Sequence, residues 1–296
     1  MYSAFMIDLV RSREYGDQDR NAIQRFLLET MDVLNKMFRK VMPRPMEFSA
    51  GDEMQGLFSS PYAAYLYYRM LRGIVSPIGI RAGIGFGDWS VQMEGIGTTA
   101  QDGTAYHKAR QAIDSVKNLS QYDCLFLSGT RADMYVNSLI QADSVIFSSQ
   151  TENQRALTLL LDVYFPILPQ KTNEIYHRNE RFFLLERIID YKKHLDVFNP
   201  TSQPKRSILY DCDFYLLEEK LNQFNFSLKD SFRIMDREYR PFHDTKIRGV
   251  PSLLAEVTGT KRQNIEKTME AGNIIVSRDM LVSLMHLMKE VEDHRI

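Results

Sequence analysis

The chain has 296 residues, of which 44% are hydrophobic and 25% are charged, a composition normal for a globular protein with one large or two ordinary domains. Its net charge of −1 and its isoelectric point near 6.6 exclude a protein that coats nucleic acid or an anionic membrane through bulk charge. Only two cysteines occur, in no metal-ligand or redox spacing, so we expect a reducing cytoplasm rather than a disulfide framework.

The first ten residues, MYSAFMIDLV, predict a short strand buried on both faces, with Asp8 near its C-terminal end. They lack the basic region of a signal peptide, and no apolar run in the chain reaches membrane-spanning length. We therefore expect a cytoplasmic protein without a membrane partner. From Gln18 to Val41, apolar residues recur at three- and four-residue steps and predict one face of a helix.

Residues 49–58, SAGDEMQGLF, predict a hairpin whose tight turn carries two adjacent carboxylates. Gly51 supplies the positive φ that the first turn position favours, and Asp52 is acceptable at the second. Two interpretations are open: Asp52 and Glu53 are either turn residues in water or part of a functional site. The second acidic element at Asp8 favours the functional site.

The elements that follow include a strand with a glycine face. Ser60 and Pro61 open a helix that ends near Gly73, and its tyrosines are expected to pack in the core. Residues 78–86, IGIRAGIGF, alternate large apolar residues with small ones, so either a neighbouring backbone or a ligand approaches the small face closely. A helix at 104–119, a strand at 122–127 and a helix from Thr130 follow.

The remaining chain is predicted to be helical. Residues 154–198 either clamp onto the first domain or form a homodimer contact. The stretch NPTSQPKRS, residues 199–207, has two prolines and no apolar residue, which is typical of a linker. We divide the chain into a first domain at 1–150, a helical connector at 151–198 and a helical domain at 207–296.

The two acidic elements suit metal-dependent phosphate chemistry. Carboxylates on neighbouring strands can hold Mg or Mn through hard oxygen ligands, and the metal in turn binds a nucleoside triphosphate. Asp8 and Asp52 meet that requirement if the hairpin lies beside the first strand.

Four segments carry a resemblance to known families, namely SAFMIDLV, SAGDEMQGLF, IRAGIGFGDW and GTAYHKAR. The N-terminal half resembles the catalytic domain of class III nucleotidyl cyclases, a ferredoxin-like palm related to diguanylate cyclases. The combination more closely resembles the SatD family of bacterial proteins, and this resemblance covers about positions 1–130. The resemblance implies an α+β fold, with a ferredoxin-like nucleotidyl-cyclase-type palm followed by an all-α region.

The resemblance also implies site residues. The two-metal ligands of cyclases fall on Asp8 and Asp52, with the carbonyl of Leu9. Glu53 lies where diguanylate-type palms use a glutamate. The arginine that steadies the transition-state phosphate matches Arg110.

The departures from the cyclase pattern affect ribose and base recognition. Tyr106 replaces the ribose-orienting asparagine, and Phe48 replaces the base-reading lysine. His107 and Lys108 either contact phosphate or belong to an exposed helix start. The expected nucleotide-binding residues are Leu9, Gly51, Tyr106, His107 and Lys108.

Residues 250–275 carry a predicted helix-turn-helix, because Ala255, Gly259 and Ile265 stand at its characteristic spacing. Many ordinary helical hairpins fit the same spacing, although SatD-like proteins tend to carry such a segment. Between residues 233 and 267, eight basic residues stand against five acidic ones. With Thr260 as the cap, the second helix would present four side chains to DNA: Lys261, Arg262, Asn264 and Lys267.

Three functions are consistent with this sequence. The leading one is a cytoplasmic regulator whose palm binds a metal-bound nucleotide and whose C-terminal motif binds DNA. The second is an active nucleotidyl cyclase or nucleotidyltransferase, which Asp8, Asp52 and Arg110 favour and Tyr106 and Phe48 oppose. The third, a non-catalytic protein-interaction module, would bind no metal.

Overall fold

The computed structural model describes residues 1–93, 97, 100–119, 122–167, 181–198, 207–223 and 249–294. The strands are β1 (Tyr2–Leu9), β2 (Arg44–Ala50), β3 (Glu53–Phe58), β4 (Ile80–Gly87) and β5 (Cys124–Leu127). The helices before the predicted linker are α1 (Asp17–Phe38), α2 (Pro61–Val75), α3 (Thr104–Asn118), α4 (Ala132–Ser149), α5 (Glu152–Tyr164) and α6 (Arg181–Lys193). Those after it are α7 (Phe214–Gln223), α8 (Val250–Val257), α9 (Arg262–Ala271) and α10 (Ile274–Glu292). Residues 199–206 of that linker and the basic stretch at 233–248 lie outside the described residues.

The strands form one mixed sheet in the order β2-β3-β1-β4-β5. Neighbouring strands run antiparallel except β4 and β5, which are parallel and are joined through α3. The first six major elements therefore follow the order β-α-β-β-α-β. The expected α+β class is confirmed.

The two faces of the sheet carry different helices. On one face Phe5 of β1 packs edge-on against Tyr67 and Tyr68 of α2, with ring centroids 6.1 and 6.4 Å apart. Tyr65, Tyr67 and Tyr68 are fully buried, so the tyrosines of α2 form core, as predicted. On the other face Ala4 and Met6 pack against α3 residues. Since side chains alternate along a strand, Asp8 lies on the α3 face.

The glycine face of β4 is filled by the backbone of α3. A Cβ atom on Gly85 would lie 2.2 Å from both the Ala105 carbonyl oxygen and the Ala109 nitrogen. One on Gly83 would lie 2.5 Å from the Ile113 nitrogen. Of the two interpretations of this face, the neighbouring backbone is therefore the one observed.

Asparagine amides cap both edges of the sheet. On β2, Asn35 of α1 accepts from the Met46 N–H at 3.1 Å and donates to the Met46 carbonyl at 2.9 Å. On β5, Asn137 of α4 makes the same pair of bonds with Phe126, both at 2.8 Å. Each amide makes the pair of hydrogen bonds that a neighbouring strand would make. These edges therefore offer fewer backbone groups for pairing with another chain.

We expect Asn137→Ala to lower the free energy of unfolding by about 1 to 3 kcal/mol, because the Phe126 N–H and carbonyl lose their partner. Chemical denaturation measures the loss. Asn21→Ala, at an exposed position of α1, is the matched control and should change stability by less than about 0.5 kcal/mol. Equal effects of the two substitutions would contradict the capping role.

A buried ionic network joins the sheet-packed helix α2 to the C-terminal helix. Asp143 of α4 accepts hydrogen bonds from Arg69, from Arg72 at 2.7 Å, from Tyr65 at 2.9 Å and from Ser277 at 2.7 Å. Burial by itself would raise the pKa of Asp143. The guanidinium groups of Arg69 and Arg72 and the Ser277 hydroxyl outweigh it and hold that pKa well below its usual range.

The network continues into α5 and α10. Arg69 also donates to Asp162 at 2.9 Å, and Arg278 lies 3.7 Å from the same carboxylate and donates to the Phe165 carbonyl. One cluster of buried apolar side chains likewise includes both Phe5 of β1 and Val291 of α10. The division of the chain into three parts stays a prediction, but the last helix, α10, packs on α2 and α4 of the predicted first domain.

We expect Asp143→Asn to cost about 3 to 5 kcal/mol at pH 7, because two buried guanidinium groups lose the carboxylate that they share, which leaves Arg69 with Asp162 and Arg72 with the more distant Asp123. The pKa of Asp143 is lower in the folded state than in the unfolded state. The stabilisation that Asp143 provides is therefore complete above about pH 4, the unfolded pKa, and is lost as the pH falls from there through the folded pKa. Denaturation from pH 7 to pH 3 should show the difference between wild type and variant narrowing only below about pH 4. Asp190→Asn, which removes an exposed carboxylate, is the control and should change stability little. A similarly small effect of Asp143→Asn would refute its role as the counter-charge of the network.

Candidate functional site

The predicted acidic elements meet at one end of the sheet. Asp8 is the penultimate residue of β1, and the register that pairs Ile7 with Met54 places it beside Glu53, the first residue of β3. Asp52 precedes Glu53 at the hairpin turn, and its negative charge contributes to raising the pKa of Asp8. The main cause of that raised pKa is burial of the Asp8 carboxyl.

The hairpin that presents Asp52 has the predicted tight turn. Gly51 has a φ of +62°, and Ala50 pairs with Glu53 across the two turn residues. The Ser49 hydroxyl donates to the Glu53 carbonyl at 3.1 Å, which braces the turn. The positive φ explains the glycine, because a side chain there would strain the backbone.

Arg110 reaches this acidic end from α3. It forms a bidentate ion pair with Glu53, in which Nη1 donates to Oε2 at 2.6 Å and Nη2 donates to Oε1. The hydrogen bond from Arg110 is the main cause that lowers the pKa of Glu53. The structure thus brings the predicted phosphate-stabilising arginine to the predicted metal ligands.

Lys117 is a member of the cluster that sequence reasoning missed. Its ammonium lies 3.5 Å from Asp8 Oδ2 and 3.8 Å from Glu53 Oε2. It follows Arg110 by seven residues, two helical turns, so both side chains leave the same face of α3. That spacing was the available signal, and it becomes meaningful only once α3 is known to lie over Asp8.

The two residues that the resemblance places at the ribose- and base-reading positions contact the core. Tyr106 of α3 is 5% exposed and packs with Met6 and Leu57, and burial raises the pKa of its hydroxyl. Phe48 is half-buried and packs against the main core. Neither offers the amide or ammonium that reads ribose or base in cyclases.

The other three expected nucleotide contacts have different surroundings. The Lys108 ammonium donates to the Phe86 carbonyl at 2.9 Å and to the Ser128 carbonyl at 2.5 Å, so it ties together the ends of β4 and β5. His107 is exposed and lies 3.2 Å from Asp102. Leu9 is buried at the end of β1, next to Asp8.

Asp8 and Asp52 are the candidate ligands for a cation that would also bind a phosphate. Asp8 and Asp52 are hard oxygen donors, yet the described residues hold no group of three or more histidine, cysteine, aspartate or glutamate side chains placed to bind a metal. Mg²⁺ usually binds to one or two carboxylates plus substrate phosphates rather than to an all-protein cage. Asp8, Asp52 and the Leu9 carbonyl would therefore hold such a cation only together with a ligand.

The C-terminal segment forms two helices joined by a short turn. Ala255 of α8 and Ile265 of α9 are buried, and Gly259 between them has a φ of +62°. The expected cap is wrong by one residue: α9 begins at Arg262 with Lys261 as its N-cap, and the Thr260 hydroxyl donates to the Thr258 carbonyl instead. The four predicted DNA-contacting residues are all exposed, and Arg262 lies 3.0 Å from Glu266.

Among the described helices, none combines the length and the apolar character that a membrane span requires.

The comparisons with known proteins identify a family. No curated protein and no solved structure matches the chain significantly. The SatD family model matches residues 2–168, which comprise the whole sheet and helices α1 to α5. The chain therefore belongs to the SatD family.

Proposed function

We propose that the predicted first domain binds a metal-bound nucleoside triphosphate at the end of β1 and the β2–β3 hairpin. The observation that carries the proposal is the convergence of Asp8, Glu53 and Arg110, which come from three different elements. The β-α-β-β-α-β order of the first elements is that of a ferredoxin-like palm and supports the same assignment.

The residues of the site divide into two charge classes. Asp8 and Asp52, with the Leu9 carbonyl, would hold Mg or Mn, which when bound neutralises phosphate charge and orients the phosphate chain. Arg110 would turn its guanidinium fork from Glu53 to a phosphate, since the same planar donors fit carboxylate and phosphate. Glu53 positions Arg110 until the ligand arrives.

The residues near the site favour nucleotide binding without cyclisation of the nucleotide. Tyr106 is buried among apolar residues and Phe48 packs on the core. Neither position therefore presents an amide or ammonium group that could bind ribose or base. A regulator that senses a nucleotide needs affinity, whereas a cyclase also needs the ribose hydroxyl aligned with the phosphate.

We expect Mn²⁺ with a nucleoside triphosphate to raise the melting temperature, because a ligand at 100 times its Kd stabilises the native state by about 2.7 kcal/mol. The double variant Asp8→Asn and Asp52→Asn should lose this shift. Differential scanning fluorimetry across the common triphosphates, with Mg²⁺ or Mn²⁺, makes the measurement.

The matched control for that experiment is the double variant Asp17→Asn and Asp19→Asn, which removes two exposed carboxylates from the first turn of α1. It should keep the full shift. A shift that survives in the Asp8 and Asp52 variant would show that the ligand binds elsewhere.

The second proposed activity is DNA binding by α9. It rests on the exposure of Lys261, Arg262, Asn264 and Lys267 at the start of a helix that follows a tight glycine turn. Arginine and asparagine read guanine and adenine edges, and lysine neutralises phosphate. The exposed acidic residues Glu266 and Glu270 on the same helix keep its net charge low, so non-specific affinity would be weak.

We expect Arg262→Ala to relax the preference at one base position by about 1 to 3 kcal/mol, because a bidentate contact to a base edge is lost. Lys267→Ala should instead weaken binding to all sequences and reduce the salt slope by about one. Selection from a random DNA library, followed by anisotropy titrations at several salt concentrations, separates the two effects. Lys36→Ala on α1 is the control and should change neither, and a library without enrichment would reject the assignment.

The two alternative functions make different demands on the same site. An active nucleotidyl cyclase or nucleotidyltransferase would form product from ATP or GTP and lose it in Arg110→Ala. A non-catalytic protein-interaction module would show no metal-dependent shift with any triphosphate. The convergence of acidic and basic groups at one sheet end favours phosphate chemistry over the interaction module.

A further inference from the structure

The acidic end of the sheet brings carboxylates and basic groups together. Asp8, Asp52 and Glu53 contribute three carboxylates, Arg110 pairs with Glu53, and Lys117 lies near both Asp8 and Glu53. Arg81 of β4 is the cross-strand neighbour of Asp8 and adds a third positive charge. The side chains of Asp8 and Glu53 are each 15% exposed, so their charges are only partly solvated. A divalent cation in place of the monovalent Lys117 would interact more strongly with the Asp8 carboxylate.

The two basic residues hold the carboxylates with different geometry. Arg110 makes a bidentate pair with Glu53 through both of its terminal nitrogens. Lys117 lies 3.5 Å from Asp8 and 3.8 Å from Glu53. Both separations are longer than the distance of about 3 Å that is typical of a hydrogen bond from nitrogen to oxygen. One third of the Lys117 side chain is exposed, so its flexible stem can move without unpacking the core, and Lys117 is the more exchangeable of the two.

We propose that Lys117 is an exchangeable cation that competes with a divalent metal for Asp8 and then binds the phosphate chain of the metal-bound ligand. This inference rests on the proposed function and adds Lys117 to its residues. No bond is made or broken in the exchange: the ammonium leaves two carboxylates and donates hydrogen bonds to phosphate oxygens. Its position between both acidic strand ends means that the metal and Lys117 cannot hold the same carboxylate oxygens together.

The exchange predicts opposite effects of one substitution on two ligands. In Lys117→Met, Mn²⁺ alone should bind about three- to fivefold more tightly, because its competitor is gone and partly exposed pairs are worth at most about 1 kcal/mol. Inorganic triphosphate, added in the presence of saturating Mn²⁺, should bind at least about tenfold more weakly, because a charge-assisted contact is lost. A lysine that only stabilises the fold would weaken both ligands when removed.

The experiment measures free Mn²⁺ by electron paramagnetic resonance during titration, and triphosphate binding by calorimetry. Lys36→Met is the control, because Lys36 also pairs with an aspartate, Asp32, but on the distant surface of α1. Lys117→Gln repeats the test with a polar side chain of similar length, and circular dichroism verifies that each variant is folded.

The outcomes separate the inference from the function on which it rests. Wild type that binds Mn²⁺ and triphosphate, with unchanged or equally weakened affinities in both Lys117 variants, overturns the exchange and leaves the proposed function standing. Wild type that binds neither probe overturns both. Tighter Mn²⁺ with weaker triphosphate in the Lys117 variants, and no change in Lys36→Met, is the result that we expect.

Discussion

The close contact between α3 and the glycine face of β4 is the constraint on which the candidate site depends. At Gly85 the helix backbone occupies the space that any side chain would fill, since a Cβ atom would lie 2.2 Å from two backbone atoms. The contact holds α3 directly above the sheet, so that Arg110 and Lys117 reach Glu53 and Asp8. A larger residue in the strand would lift the helix and separate the basic side chains from the acidic ones.

The buried network around Asp143 provides the second constraint and connects α2 to the C-terminal helix α10. Arg69 and Arg72 belong to α2, which packs under the sheet, whereas Ser277 belongs to α10. Because α10 begins only a few residues after α9, anchoring α10 also fixes the position of α9. A buried network of this kind adds little net stability over apolar packing, but it penalises any arrangement that leaves one of its charges unpaired.

Local patterns predicted most elements correctly but placed several of their ends inaccurately. An apolar run identified β1, the turn signal at Gly51 identified the β2–β3 hairpin, alternation identified β4, and three- and four-residue steps identified α1, because these patterns follow from backbone geometry and residue type alone. The end expected for α2 near Gly73 is instead at Val75, and Thr260 does not cap α9. Ends depend on hydrogen bonds with residues outside the pattern, such as the Thr258 carbonyl, which the local sequence does not specify.

The sequence by itself determined the hairpin turn at Gly51, the acidic residue near the end of β1 and the small face of β4, since each follows from conformational preference or from residue type at a fixed period. Only the tertiary structure decided what approaches that small face, that Lys117 joins Asp8, and that Tyr106 lies in the core. The physical reason is distance along the chain: Asp8 and Lys117 stand more than one hundred residues apart. Contacts of that kind depend on how helices pack on the sheet, which local preferences leave undetermined.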